Sequence, residues 1–274
     1  MGLIGWLRKF LHAGPKGTDQ FPGDWDDVED YAKMAQMAYW KKDEIEKKLN
    51  RSRRHVTVYE SSQDDIQFFH YVDERDNRQW LSFRGTANLA NIKTDAEYGK
   101  DRDAQLQIYL HGGFQDASQE IWDMIKDKLV DALPIRVTGH SLGGALAIII
   151  AMRLTKKKLP LEKCITFGQP KVTNHKGGWK YRRMPVLRVV NDEDPVPLIP
   201  PVSFIGASHG LYTHLCPELK LFPDGKVRYL DRHEAADLRS SSLWIELGDK
   251  DVEFKDHSIA LYLDAIKKCR RVSK

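Results

Sequence analysis

The sequence predicts an α/β fold with a mostly parallel central sheet and helices on both faces. Three observations lead there. Short runs rich in β-branched and aromatic residues alternate with stretches of helical period through the middle of the chain, the order that builds parallel sheets. One strand, Ile135-Arg136-Val137-Thr138, runs into a sharp Gly139-His140-Ser141-Leu142-Gly143 turn and then into an apolar helix at Ala145 to Ala151. The length, 274 residues with 41% hydrophobic content, suits one large domain with a real core. The expected organisation is an N-terminal helix and linker over residues 1–23 and the α/β domain over 24–274.

Taken in order, residues 2–12 place Leu3, Ile4, Trp6, Leu7, Phe10 and Leu11 on one side of a helical wheel, within roughly 160°. Gly5, Arg8, Lys9 and His12 take the other side. Gly14-Pro15, Gly17 and Pro22-Gly23 mark a linker. Asp24 to Trp40 has the helical period, and a second helix fits Lys42 to Leu49. Strands are expected at His55–Tyr59, Ile66–Val72 and Gln79–Arg84. These are close enough in sequence to pair antiparallel. A helical piece follows at Ala87–Tyr98, then a polar loop and Leu106–His111. A long amphipathic helix is expected over Phe114–Leu133. Later strands are Cys164–Gly168 and Pro185–Val190. A hairpin turns at Pro223-Asp224-Gly225, and Asp256–Arg270 closes as a helix.

Composition excludes several classes. Forty-three basic against 39 acidic residues leave a net charge of +4, too balanced for a nucleic-acid partner. The histidines and cysteines show neither HExxH nor CxxC spacing, so no metal is implied, and the serine chemistry argued below requires no cofactor. Cys164, Cys216 and Cys269 are odd in number and far apart, which reads as reduced thiols rather than a disulfide framework. No apolar run reaches the ~20 residues a membrane span needs, and Leu3–Leu7 is too broken for a secretory segment. The expected location is cytoplasmic or peripheral to a membrane.

The strand, turn and helix around Ser141 have the form of a nucleophile elbow, the hallmark of α/β-hydrolases. Such a turn holds its serine in a strained backbone conformation and raises the hydroxyl above the sheet. Gly139 and Gly143 leave room for the close approach that the turn demands. The helix amides, Leu142 first, point at whatever oxygen becomes negative. A serine hydroxyl needs a histidine base, and the histidine needs a carboxylate to set its tautomer, following in the order Ser, acid, His. The acid belongs after the 185–190 strand, where Asp192, Glu193 and Asp194 all stand. The base belongs near the end of the chain, where His257 opens the last helix.

Seven ordered segments carry a resemblance. They are Leu81-Ser82-Phe83-Arg84-Gly85-Thr86, His111-Gly112-Gly113-Phe114, Gly139 to Gly144, Thr166-Phe167-Gly168-Gln169-Pro170, Asp194-Pro195-Val196-Pro197, Tyr212-Thr213-His214, and His257 ahead of Tyr262. Over residues 54–264 the chain resembles the class 3 lipases, the fungal-lipase-like branch of the α/β-hydrolases. The resemblance implies Ser141 as nucleophile, Asp194 as acid and His257 as base. It implies an oxyanion hole from Thr86 and the Leu142 amide. His214 matches the family's Tyr-x-His element, a scaffold position, with the base as its other reading. Beside the resemblance, His140 reads as structural next to the serine, Arg84 as an anchor of the oxyanion loop, and His111 as the opening of a turn. The segment 87–98 stands where such lipases carry a lid. Its stripe of Leu89, Ile92 and Ala96 is thin and lacks Trp or Phe, so weak interfacial activation and soluble esters are expected. A fixed helix over the sheet edge is the other reading.

The expected activity is a serine ester hydrolase, a lipase or carboxylesterase cleaving acylglycerols or related carboxylic esters. The alternatives are a phospholipase A1 or feruloyl-type esterase on the same scaffold, and a non-catalytic ligand- or partner-binding relative. The apolar, aromatic face of residues 2–12, opposite a basic one, suits either a membrane interface or docking on the domain.

Overall fold

The computed structural model describes residues 17–61, 66–85, 100–192, 194–199, 212–215, 217–231 and 255–273. The expected helix at residues 2–12, Thr86, the expected lid with Leu89 and Ile92, and the candidate acid Glu193 lie outside the described residues.

Eight strands form the main sheet: β1 (Arg54–Glu60), β2 (Gln67–Asp73), β3 (Arg78–Phe83), β6 (Ile135–His140), β7 (Leu161–Phe167), β9 (Val186–Asn191), β11 (Glu218–Leu221) and β12 (Val227–Leu230), side by side in that order. From β3 to β11 every pairing is parallel, while β1-β2-β3 and β11-β12 are antiparallel. This is the α/β-hydrolase arrangement expected, with its hairpin-like start. Parallel strands are buried on both faces and alternate between two cores. Phe68, Leu81, Val137 and Cys164 face one core. Phe69, Trp80, Ile165 and Val189 face the other. The first core is covered by α3 (Gly112–Ile125) and α4 (Leu142–Lys156), the second by α1 (Trp25–Met37) and α6 (Ile259–Val272). Helix α4 is buried at every residue from Gly143 to Leu154, which explains its lack of a polar face.

Most elements fall where the periodicity places them. α1 is capped by Asp24, whose side chain accepts from the Asp26 N–H, and α2 (Lys42–Leu49) has the expected bounds. Three features differ. The helix expected over 114–133 ends at Ile125. Beyond it the chain bends so that the carbonyls of Val130 and Leu133 meet the buried Gln79 amide, at 2.8 and 3.0 Å. A second, antiparallel sheet has no counterpart in the sequence pattern. It is built from β4 (Lys100–Asp103), β5 (Ile108–His111), β8 (Thr173–Asn174) and β10 (Tyr212–Thr213), in the order β10-β8-β5-β4, with the short helix α5 (His175–Lys180) following β8. Its strands are too short or too polar for a period to show. The described half of the expected linker is fastened rather than free. Thr18 and Tyr229 exchange backbone hydrogen bonds of 3.0 and 2.8 Å, and the Phe21 ring packs on Trp25 and Tyr229.

Parallel pairing carries the functional consequence. Phe83 is level with Gly139, Gly139 with Thr166, and Phe167 with Val189. The loops leaving β3, β6, β7 and β9 therefore all emerge at the carboxyl edge of the sheet, where open α/β sheets bind ligands.

Candidate active site

Ser141 stands between β6 and α4 with φ 59° and ψ −130°, a positive-φ conformation that is unusual for a residue with a side chain. The turn is tight enough to dictate its neighbours. A methyl group on Gly139 would fall on the Gly143 carbonyl. A methyl on Gly143 would instead strike the Phe83 carbonyl and Arg84, at the end of β3. Gly139 thus serves the turn itself, and Gly143 lets the helix start against the loop that leads to Thr86. Gly85 is similarly confined. A methyl there would lie 2.5 Å from Tyr39 Oη, 2.6 Å from the His140 carbonyl and 2.9 Å from Ser141 Cβ. Leu142 is the first residue of α4. Its amide belongs to the first turn, where N–H groups have no partner within the helix.

His257 ends a single 3-10 turn, Lys255–His257, just ahead of α6, which Ser258 caps. Its Nδ1 lies 2.8 Å from Asp194 Oδ2, and both side chains are fully buried. Two further donors converge on Asp194. The Val196 N–H donates to Oδ1 at 2.9 Å, and Tyr262 Oη donates to Oδ2 at 2.5 Å. Tyr262 also accepts from the Asn191 N–H at 3.1 Å, which aims its own proton at the carboxylate. An Asp194 that only accepts fixes the proton of a neutral His257 on Nδ1, leaving Nε2 as the basic nitrogen.

Ser141 reaches the same place from the other side. Its N–H donates to the Phe167 carbonyl at 2.9 Å. The next residue, Gly168, has φ 55°, and a methyl there would lie 2.7 Å from Asp194 Oδ2 and 2.9 Å from His257 Cε1. Ser141 Oγ and His257 Nε2 are both buried and have no hydrogen-bond partner among the described residues. These are the two atoms between which a serine mechanism passes a proton. Distances at such pairs are often long before substrate arrives.

The neighbouring candidates separate cleanly. Asp192 pairs with Lys220 at the surface, while His257 Nδ1 is taken by Asp194. His214 Nε2 meets the Pro197 carbonyl at 2.6 Å, and Lys171 Nζ donates to the Leu198 carbonyl at 2.9 Å. Both hold the loop that follows Asp194. Arg84 bonds to Gln67 through its N–H at 2.9 Å and its guanidinium at 3.3 Å, so it ties β3 to β2 at the start of the oxyanion loop. The Lys156–Lys158 run is exposed where α4 ends. Gly168 and Tyr262 belong to the segments that carry the resemblance, but their sequence assigns them no role. The contacts they make with the acid and base are tertiary, and no local spacing announces them.

The class 3 lipase family model matches residues 80–204, a span that includes Ser141 and Asp194. Over that span the chain is similar to the class 3 lipases. It is 33% identical over 153 residues to the secreted mono- and diacylglycerol lipase 1 of Fusarium solani, covering 50% of this chain and 42% of that protein. It is 28% identical over 154 residues to the chloroplastic phospholipase A(1) DAD1 of Arabidopsis thaliana, covering 44% and 33%. The chain spans less than half the length of these curated relatives. The fold agrees over a wider range. The Lip2 lipase of Yarrowia lipolytica superposes with a TM-score of 0.72 at 17% identity, over 90% of this chain and 96% of that one. The lipase of Rhizopus microsporus var. chinensis gives 0.67 at 21% identity, over 90% and 93%. Among the described residues no helix is long and apolar enough to cross a membrane, and no cluster of His, Cys, Asp and Glu could hold a metal ion.

Proposed function

We propose that this chain is a serine ester hydrolase that cleaves acylglycerols or related carboxylic esters through an acyl-enzyme. The observation that carries this reading is the pairing of a buried, strained Ser141 with a His257 whose Nδ1 is already committed to Asp194. Ser141 Oγ attacks the ester carbonyl carbon while His257 Nε2 takes its proton. The carbonyl oxygen becomes an oxyanion facing the Leu142 amide, with Thr86 as the second donor. Collapse expels the alcohol, which receives the proton from His257. Water then repeats the sequence on the acyl-serine and releases the acid. No step needs a metal or a cofactor.

The first test is hydrolysis of p-nitrophenyl esters from acetate to palmitate, with a phospholipid alongside, by wild type and Ser141→Ala. Loss of turnover on the order of 10⁴-fold or more in the variant supports the reading. A variant that retains its turnover removes Ser141 as the nucleophile. The phospholipid arm is included because two similar proteins are named phospholipases A1. Hydrolysis at the sn-1 ester in preference to acylglycerols would place this chain with them.

The proposed partner is a lipid or small-ester substrate. The face of Trp6, Phe10 and their apolar neighbours, opposite Arg8 and Lys9, supports contact of residues 2–12 with an anionic lipid surface.

A further inference from the structure

His140 precedes the nucleophile and is buried, yet it is not an inert filler. Its Nε2 lies 2.6 Å from the His257 carbonyl, and its Nδ1 lies 2.8 Å from Tyr39 Oη. Tyr39 Oη in turn accepts from the Gly85 N–H at 3.2 Å. These partners leave one arrangement of protons. A carbonyl only accepts, so His140 carries its proton on Nε2. Tyr39 accepts from Gly85, so its single proton goes to His140 Nδ1. The chain of donors therefore runs from Gly85 through Tyr39 and His140 to the main chain of His257.

The groups at both ends of this chain matter to the chemistry. Gly85 is the residue before Thr86, in the loop that would bind the oxyanion. His140 is bonded covalently to Ser141. His257 sits on one short turn, where its side chain is aimed by Asp194 but its main chain needs separate support. Asn191 Nδ2 donates to the Asp256 carbonyl at 3.3 Å, and His140 takes the next carbonyl along. Tyr39 lies just past the end of α1 and is itself held in place. The Gln67 amide donates to the carbonyls on either side of it, Ala38 at 2.7 Å and Trp40 at 2.8 Å.

We propose that Tyr39 and His140 are positioning residues that lock the base, the nucleophile elbow and the oxyanion loop into one register. Their protonation suits the task. Burial and the neighbouring His257 hold the His140 imidazole well below the ordinary histidine range, and burial raises the Tyr39 phenol. Both stay neutral while His257, whose ring centroid is 4.5 Å from that of His140, takes up the serine proton. A second cation at that distance would oppose the transfer.

The inference rests on the esterase reading of the site, and the experiment separates the two. Turnover of p-nitrophenyl butyrate is measured for wild type, Tyr39→Phe, His140→Leu and His140→Gln. Competent sites are counted in each sample by covalent titration with a p-nitrophenyl phosphonate. Tyr39→Phe removes one oxygen and His140→Leu removes both nitrogens. Each is expected to lower kcat per titrated site roughly 10- to 100-fold, as small misplacements of reacting groups do, with KM little changed. His140→Gln, whose amide can still donate to the His257 carbonyl, should recover most of the loss. Unchanged kcat per titrated site in Tyr39→Phe and His140→Leu, with only thermal stability reduced, would show a purely structural role. A glutamine variant as slow as the leucine variant would overturn the donor assignment. A wild-type chain that hydrolyses no ester would remove the esterase reading itself, and this inference with it.

Discussion

At Asp194 one carboxylate receives three donors, from His257, Tyr262 and Val196. Replacing it with asparagine keeps the shape but presents an N–H where an acceptor is needed, so His257 would adopt the other tautomer. Asp194→Asn is expected to lower kcat about 10⁴-fold. Asp192→Asn, whose carboxylate pairs with Lys220 at the surface, should change kcat little. Steady-state kinetics on one soluble ester distinguishes them, and the reverse order would exchange their roles. The two histidines divide in the same way. His257→Ala should cost on the order of 10⁴ to 10⁶ in kcat. His214→Ala removes a bond to the Pro197 carbonyl, and should lower the melting temperature more than the rate per folded molecule. At this scale the sequence is most legible where chemistry demands residue types at fixed spacing, as at Gly139, Ser141 and Gly143. It leaves Asp192 and Asp194 undivided without the family resemblance, because the difference between them is which partner the fold brings near. Tyr39 lies about a hundred positions from His140, and only the packing of α1 against the sheet unites them.

Among the elements, α4 carries the most information in its sequence and the small sheet the least. An apolar run after the elbow can only be a buried helix, and it is one. Within it, Arg153 looks out of place until β4 and β5 are added. Its guanidinium donates to Asp103 at 2.8 Å, and both side chains are almost fully buried. Asp103 Oδ1 also accepts from the Gln105 and Leu106 N–H groups at 2.9 and 2.6 Å, shaping the β4–β5 turn. This pair therefore ties the second sheet to the central helix. Arg153→Met fills the space but strands a buried carboxylate, and should destabilise the fold by about 3–5 kcal/mol. Urea denaturation would show the loss as a lower midpoint. An unchanged midpoint would mean that the pair holds nothing together. The early end of α3 has a related cause. Apolar residues continue past Ile125 at a helical spacing, but Ala132 takes a positive φ of 64° that no α-helix contains, and the bent segment lays the Val130 and Leu133 carbonyls on the Gln79 amide.

For the molecule as a whole, two buried histidines set a dependence on pH. Burial holds His70 and His140 below the ordinary histidine range. The unfolded chain takes up protons at these positions below pH ~6.5, while the folded chain does not. Stability is then flat above that pH and declines as pH falls through it, since the unfolded state binds more protons. His70, bonded to Gln79 at 2.9 Å, stands apart from the active-site candidates, so His70→Gln is expected to reduce the acid slope without changing kcat. Melting temperatures from pH 8 to 5 would reveal it, and parallel curves for the two proteins would exclude the contribution. A second prediction concerns residues 1–13. Their removal should leave turnover of a soluble short-chain ester intact and weaken binding to anionic liposomes in a flotation assay. Loss of thermal stability with liposome binding unchanged would mean that the helix docks on the domain instead. The global fold is legible from alternation of strand and helix, since parallel sheets write near-continuous apolar strands into the sequence. The fastening of Thr18 to Tyr229 is not, because Gly and Pro signal a bend and say nothing of what the bend rests on.

Covalent labelling tests the central claim most directly. The wild-type protein is incubated with a p-nitrophenyl alkylphosphonate, then digested and mapped by mass spectrometry while residual esterase activity is followed. One adduct per chain on Ser141, growing in step with the loss of activity and absent in His257→Ala over the same period, is the expected result. Complete inactivation with Ser141 unmodified, or full ester turnover after Ser141 is quantitatively labelled, would contradict it.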